Sequence, residues 1–141
     1  MEKNIQLVDG GAQKRAFTYV EDGIDALVRI IDNKDGIATG KIYNVGNPAN
    51  NFSIRELANM MLEAAATYPE YRENAKLVKL VDTTAHGYYG VGYQDVQNRV
   101  PKIDNTMGDL GWKPQVTMSD ALNKILDAYK DKISEAADLN T

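Results

Sequence analysis

Lys41-Ile42-Tyr43-Asn44-Val45-Gly46-Asn47-Pro48 leads, four residues later, into Ser53-Ile54-Arg55-Glu56-Leu57-Ala58, and this stretch decides the fold class. Its first five residues are β-prone and read as a buried strand, which Gly46-Asn47-Pro48 ends. Ser53-x-x-Glu56 is a capping box: the hydroxyl accepts from the third amide and the carboxylate reaches back to the first. The helix that follows places Ile54, Leu57, Ala58, Met61, Leu62 and Ala65 on one side, until Tyr68-Pro69 stops it. A strand handed across a short turn to a capped amphipathic helix is the unit of an α/β fold.

The alternation continues in both directions. Upstream, Ile5-Gln6-Leu7-Val8 is extended and is closed by Asp9-Gly10-Gly11, whose glycines are free to take positive φ. Ala16 to Val20 is β-prone. Asp22 then caps a helix with Ile24, Leu27, Val28 and Ile31 on a buried face, stopped at Asn33-Lys34-Asp35-Gly36. Downstream, Lys76 to Val81 is a further strand candidate. Asp82 to Asn98 has no period and reads as a functional loop. Asp104 caps a short helix to Leu110. Gly111-Trp112-Lys113-Pro114 is a stop in which Trp112 plugs a core. Thr117-Met118-Ser119-Asp120 caps a last helix with Ala121, Leu122, Ile125, Leu126 and Tyr129 inward. Residues 134–141 are polar and expected to fray. No repeat or linker interrupts the 141 residues, so the expectation is one small mixed α/β domain.

Composition narrows the function. Hydrophobic residues make up 43% and charged residues 26%, ordinary for a globular chain. A net charge of −4 and a pI near 5.0 give no reason to expect nucleic acid or an anionic membrane as partner. The absence of cysteine removes disulfides, thiolate zinc sites and a cysteine nucleophile, and fits a reducing compartment. One histidine, His86, cannot build a multi-histidine metal site. No apolar run approaches a membrane span, and Met1-Glu2-Lys3-Asn4 does not open a signal peptide, so the expected location is cytoplasmic.

Few residues offer chemistry by themselves. Gly87-Tyr88-Tyr89-Gly90-Val91-Gly92 is glycine-rich, but it neither follows a clear strand nor opens an amphipathic helix, so it is not a dinucleotide fingerprint. Gln13-Lys14-Arg15 is a solvated turn or a phosphate grip, two cations and an amide donor just after paired glycines. Arg99 is held at a loop edge by Pro101, as a surface ion-pair partner or as a ligand contact beside the tyrosine cluster.

The combination says more than the pieces. Asp9-Gly10-Gly11-Ala12-Gln13-Lys14-Arg15-Ala16-Phe17-Thr18, Asp22-Gly23, Asn44-Val45-Gly46-Asn47-Pro48, Ser53-Ile54-x-Glu56-Leu57 and Leu110-Gly111-Trp112-Lys113-Pro114 together resemble the C-terminal half of an extended short-chain dehydrogenase/reductase. Those enzymes act on nucleotide sugars. Tyr88-Tyr89-Gly90-Val91-Gly92-Tyr93-Gln94-Asp95-Val96-Gln97-Asn98-Arg99-Val100-Pro101 is similar to the UDP-glucuronate decarboxylase domains of the bifunctional polymyxin-resistance enzymes, which lead to 4-amino-4-deoxy-L-arabinose for lipid A. The resemblance implies a parent enzyme that oxidises carbon 4 of UDP-glucuronate with NAD. The β-keto acid so formed loses carbon dioxide to give the UDP-4-keto-pentose.

It further implies that Gln6, Gln13, Lys14, Arg15 and Tyr93 contact the UDP-sugar, and that Arg99 is catalytic, as proton donor or as the charge that stabilises carboxylate and enolate. Arginine side chains hold their proton far too tightly for an ideal general acid, which favours the second role. Asn98 stands where the family usually has histidine, Val100 where lysine is common, and Tyr19 where aspartate is common. The glycine fingerprint for NAD is missing, and none of the eight tyrosines has lysine four residues on. The chain therefore reads as a substrate-binding lobe without the Rossmann half. Alone it is expected to bind no NAD, to be inactive, and to self-associate through the apolar surface that would face that half.

Overall fold

The computed structural model describes residues 4–84 and 96–133. The chain folds as two compact units, the first of Met1–Ala12, Ile54–Gln94 and Ser119–Thr141, the second of Gln13–Ser53 and Asp95–Met118. A small mixed α/β architecture is what the alternation of strands and helices predicts.

In the first unit, β1 (Ile5–Val8) and β4 (Leu80–Thr83) pair in parallel, Ile5 against Leu80 and Val8 against Thr83. The Asn4 side chain extends the pair by accepting from the Lys79 amide at 3.1 Å. Leu7 is fully buried; Ala58, Ala121 and Leu122 join it in the interior. Helix α2 (Ile54–Thr67) starts directly after Ser53 and stops before Tyr68-Pro69, as its capping box and proline predict. Helix α3 (Arg72–Leu77) takes Lys76 and Leu77 out of the expected strand, which shrinks to β4. The Tyr68 and Tyr71 hydroxyls donate to the carbonyls of Asn123 (3.1 Å) and Leu126 (2.8 Å) in α5 (Met118–Tyr129). Ile125 and Tyr129, expected inward, are exposed, because α5 is covered along a narrower stripe centred on Ala121 and Leu122.

The second unit is built on a three-stranded sheet of order β3-β2-β5. Strand β2 (Lys14–Ala16) runs antiparallel to β3 (Asn51–Ser53) and parallel to β5 (Asn98–Arg99). The β-prone run to Val20 is cut short because α1 (Val20–Asp32) begins there, with Tyr19 as its N-cap residue. Asp22 thus lies inside the first turn and caps a different segment. Its carboxylate is buried and accepts from the amides of Gln115 (3.1 Å) and Val116 (3.0 Å). Its backbone carbonyl accepts from the Trp112 indole at 3.0 Å. Trp112, 1% exposed, forms the core with Ala26, Ile103 and Leu110, as its expected role as a plug requires. Helix α4 (Asp104–Leu110) ends at Gly111, which is left-handed at φ 59°.

Two expectations fail here. Ile24, Leu27, Val28 and Ile31 do not form a buried face: all are at least half exposed, Ile31 at 81%. The buried face of α1 is instead the one bearing Asp22 and Ala26. Lys41 to Val45 makes no ladder either. It runs without regular structure, with Ile42 91% exposed, and is held by side chains. Asp109 accepts from Lys41 Nζ (2.8 Å) and the Tyr43 hydroxyl (3.0 Å), and Thr106 Oγ1 donates to the Asn44 carbonyl at 2.6 Å. Gly46 follows because a Cβ there would lie 2.4 Å from Pro101 Cγ. Asn47 and Asn50 then tie down the strap after Pro114, both donating to the Val116 carbonyl, while Asn50 Oδ1 accepts from Met118 N. No described helix is long and apolar enough to cross a membrane.

Two outcomes follow. Asp22→Ala leaves two backbone amides without their acceptor and lowers stability by about 3 kcal/mol, whereas Asp22→Asn, which keeps an acceptor, costs less than half of that, as measured by urea denaturation. Hydrogen bonds from Lys41 and then Tyr43 hold the Asp109 carboxyl below its ordinary value. The stability that this contributes is complete above the unfolded value of about 3.9 and is lost as pH falls through the depressed one. Lys41→Met moves the Asp109 titration upward, as read by carboxyl NMR.

Candidate functional site

Strand alternation sorts the predicted site residues of the second unit into two rows. Register partners are Ser53, Lys14 and Asn98 across one row, and Phe52, Arg15 and Arg99 across the next. Neighbouring strands stand about 4.8 Å apart and register partners share a face. Arg15 and Arg99 therefore emerge side by side from one face, next to the Phe52 ring. Lys14 and Asn98 occupy the other face, where Asn51 Nδ2 reaches Asn98 Oδ1 at 3.4 Å.

Local interactions set this register. The Lys14 amide donates to the Gln97 carbonyl at 2.7 Å, and Arg15 Nη1 donates to the carbonyls of Lys14 and Val96, both at 2.7 Å. Arg15 thus orients its own fork and pins the chain entering β5. It is half-buried, whereas Lys14 and Arg99 are exposed. Among the described residues the side chains of Lys14 and Arg99 enter no hydrogen bond or ion pair, so both remain open to a ligand.

Of the predicted contacts, the structure pairs Arg15 with Arg99 on one face, sets Lys14 on the opposite face and leaves Gln13 just before β2. Arg99 lies in a strand rather than at a loop edge, because β2 gives Asn98 and Arg99 a partner. Gln6 is exposed on β1 of the other unit. Tyr93 and His86 lie outside the described residues, as does the glycine–tyrosine segment 87–92. Reading the sequence misses the pairing of Arg15 with Arg99, since 84 positions separate them and no local signal encodes a parallel register.

The arrangement suits anion recognition. Two guanidiniums present planar donor forks that match carboxylate or phosphate oxygens, and Lys14 adds a point charge nearby in sequence. No group of three or more potential metal ligands is present among the described residues. The left-handed Asp9-Gly10-Gly11 turn opens onto β2, not onto the helix N-terminus that would receive a pyrophosphate.

The sequence model of the NAD dependent epimerase/dehydratase family matches residues 1–46. Among solved structures, PbgP3 protein from Burkholderia pseudomallei is 59% identical, with a TM-score of 0.83, over 96% of this chain and 36% of that one. UDP-glucuronic acid 4-epimerase from Bacillus cereus, solved with UDP-glucuronic acid and NAD, is 20% identical with a TM-score of 0.71, over 96% and 36%. RMD from Pseudomonas aeruginosa, solved with NADPH, is 19% identical with a TM-score of 0.68, over 92% and 37%. At that identity the last two speak for the fold alone. The chain spans about a third of the length of each of these relatives. By the sequence match over residues 1–46, the 59% identity and the shared fold, this chain is similar to the NAD dependent epimerase/dehydratase family over about a third of those proteins' length.

Proposed function

We propose that this chain is the nucleotide-sugar-binding portion of an NAD-dependent UDP-glucuronate oxidative decarboxylase, which gives a UDP-4-keto-pentose, on the route to aminoarabinose-modified lipid A. The observation that carries the reading is the pairing of Arg15 with Arg99 on one face of the β2–β5 ladder. UDP-glucuronate differs from the neutral UDP-hexoses by a carboxylate, and a pair of guanidinium forks is the side-chain chemistry that distinguishes it. Gln6, Gln13, Lys14, Arg15 and Tyr93 contact the UDP-sugar. Arg99 faces the sugar carboxylate and then the enolate that decarboxylation leaves, as a fixed positive charge rather than as a proton donor.

NAD belongs to a nucleotide-binding half, not to these residues. The apolar face of α1, with Ile24, Leu27, Val28 and Ile31 uncovered, supports such a half as partner. Without it the same face drives self-association. The absence of cysteine fits a cytoplasmic setting. A second reading, the lobe of another nucleotide-sugar epimerase or dehydratase, is favoured by Asn98, which replaces the histidine usual before this arginine.

Calorimetry separates the two. UDP-glucuronate binds at least tenfold more tightly than UDP-glucose, and Arg99→Gln removes most of that difference. Equal affinities support the second reading instead. The chain with UDP-glucuronate and NAD forms no NADH, and detectable NADH refutes the inactivity of the isolated chain. In sedimentation velocity the chain associates with rising concentration, and the Ile24→Lys/Leu27→Lys variant stays monomeric; a monodisperse parent chain at high concentration overturns the self-association.

A further inference from the structure

Asp9, Gly10 and Gly11 are three consecutive left-handed residues, at φ 46°, 71° and 67°. Such a run has no regular ladder to hold it, and for Asp9 it is unfavourable. The brace comes from Arg55 in the first turn of α2. Its Nε donates to the Gly10 carbonyl at 2.8 Å, and its Nη2 pairs with the Asp82 carboxylate on β4. Gly11 packs so closely on this helix start that an added Cβ would lie 3.0 Å from the Arg55 amide nitrogen and 3.4 Å from Leu7 Cδ2.

Neither acceptor belongs to the helix itself: Gly10 lies in the turn and Asp82 on β4. What the guanidinium joins is telling. Gly10 stands three residues before Gln13, in the segment that runs on to Lys14 and Arg15. Asp82 stands one residue before the end of β4, the strand that pairs with β1 just ahead of the turn.

We propose that Arg55 is a positioning residue, one guanidinium that locks the Asp9–Gly11 turn to β4 and so presets the segment that runs on to the contacts at Gln13, Lys14 and Arg15. The inference rests on the reading above, in which those contacts bind a UDP-sugar. A planar fork with donors in two directions serves both acceptors at once, which a lysine ammonium on a flexible stem does not.

The test compares the chain with its Arg55→Ala, Arg55→Lys and Asp82→Asn variants by amide hydrogen exchange at residues 10–12 without ligand and by calorimetry with UDP-glucuronate. Arg55→Ala speeds exchange about tenfold and weakens binding five- to tenfold. Arg55→Lys does not rescue either, and Asp82→Asn falls between. Arg99→Gln weakens binding while leaving exchange at residues 10–12 unchanged, which separates contact from positioning. An Arg55→Ala chain that binds like the parent chain overturns the positioning role. If the parent chain binds no UDP-glucuronate, the functional reading falls, and exchange alone then decides the brace: unchanged rates in Arg55→Ala overturn it.

Discussion

The second unit depends on one buried carboxylate. Asp22 accepts two backbone amides of the strap after Pro114, while its own carbonyl takes the Trp112 indole. A carboxylate taken out of water is costly unless its oxygens are fully used, and here both are. That commitment orients α1. A helix offers one stripe to its core, and with Asp22 and Ala26 in that stripe the aliphatic row at 24, 27, 28 and 31 must point away. The exposed apolar face is thus the consequence of an internal polar anchor.

Polar side chains replace ladders elsewhere in this unit. Asn47, Asn50, Thr106 and Asp109 each take backbone or side-chain partners at sequence separations of 62 or more. The Asn-x-Gly-Asn-Pro motif is accordingly a structural one: its asparagines hold the strap and its glycine admits Pro101. The chemistry is concentrated instead on a short sheet. Because side chains alternate along β2, Lys14 and Arg15 are sent to opposite faces, and only Arg15 meets Arg99. The pair puts two positive charges on one face of the sheet.

Local signals carried much of the fold. β1, the left-handed glycine turn, the starts of α2 and α5, and the stops at Asn33, Tyr68-Pro69 and Gly111 are all legible, because each rests on dihedral preference, capping or proline sterics within a few residues. The plug role of Trp112 is legible for a similar reason, a large amphipathic ring at a helix stop. The row of α1 and the run from Lys41 to Val45 are misread for a shared reason. An amphipathic pattern announces that a face wants burial, and a β-prone run that a strand wants a partner, but neither states that the partner lies within the chain.

The sequence by itself determined which residues carry charge and donors, that they follow a strained glycine turn, and which family pattern they belong to. Only the tertiary structure decided that Arg15 and Arg99 share a face, that Asp22 is an internal anchor rather than a helix cap, and that Arg55 reaches both Gly10 and Asp82. Register and burial are non-local: they arise from the pairing of segments up to 94 positions apart, for which the local chain holds no record.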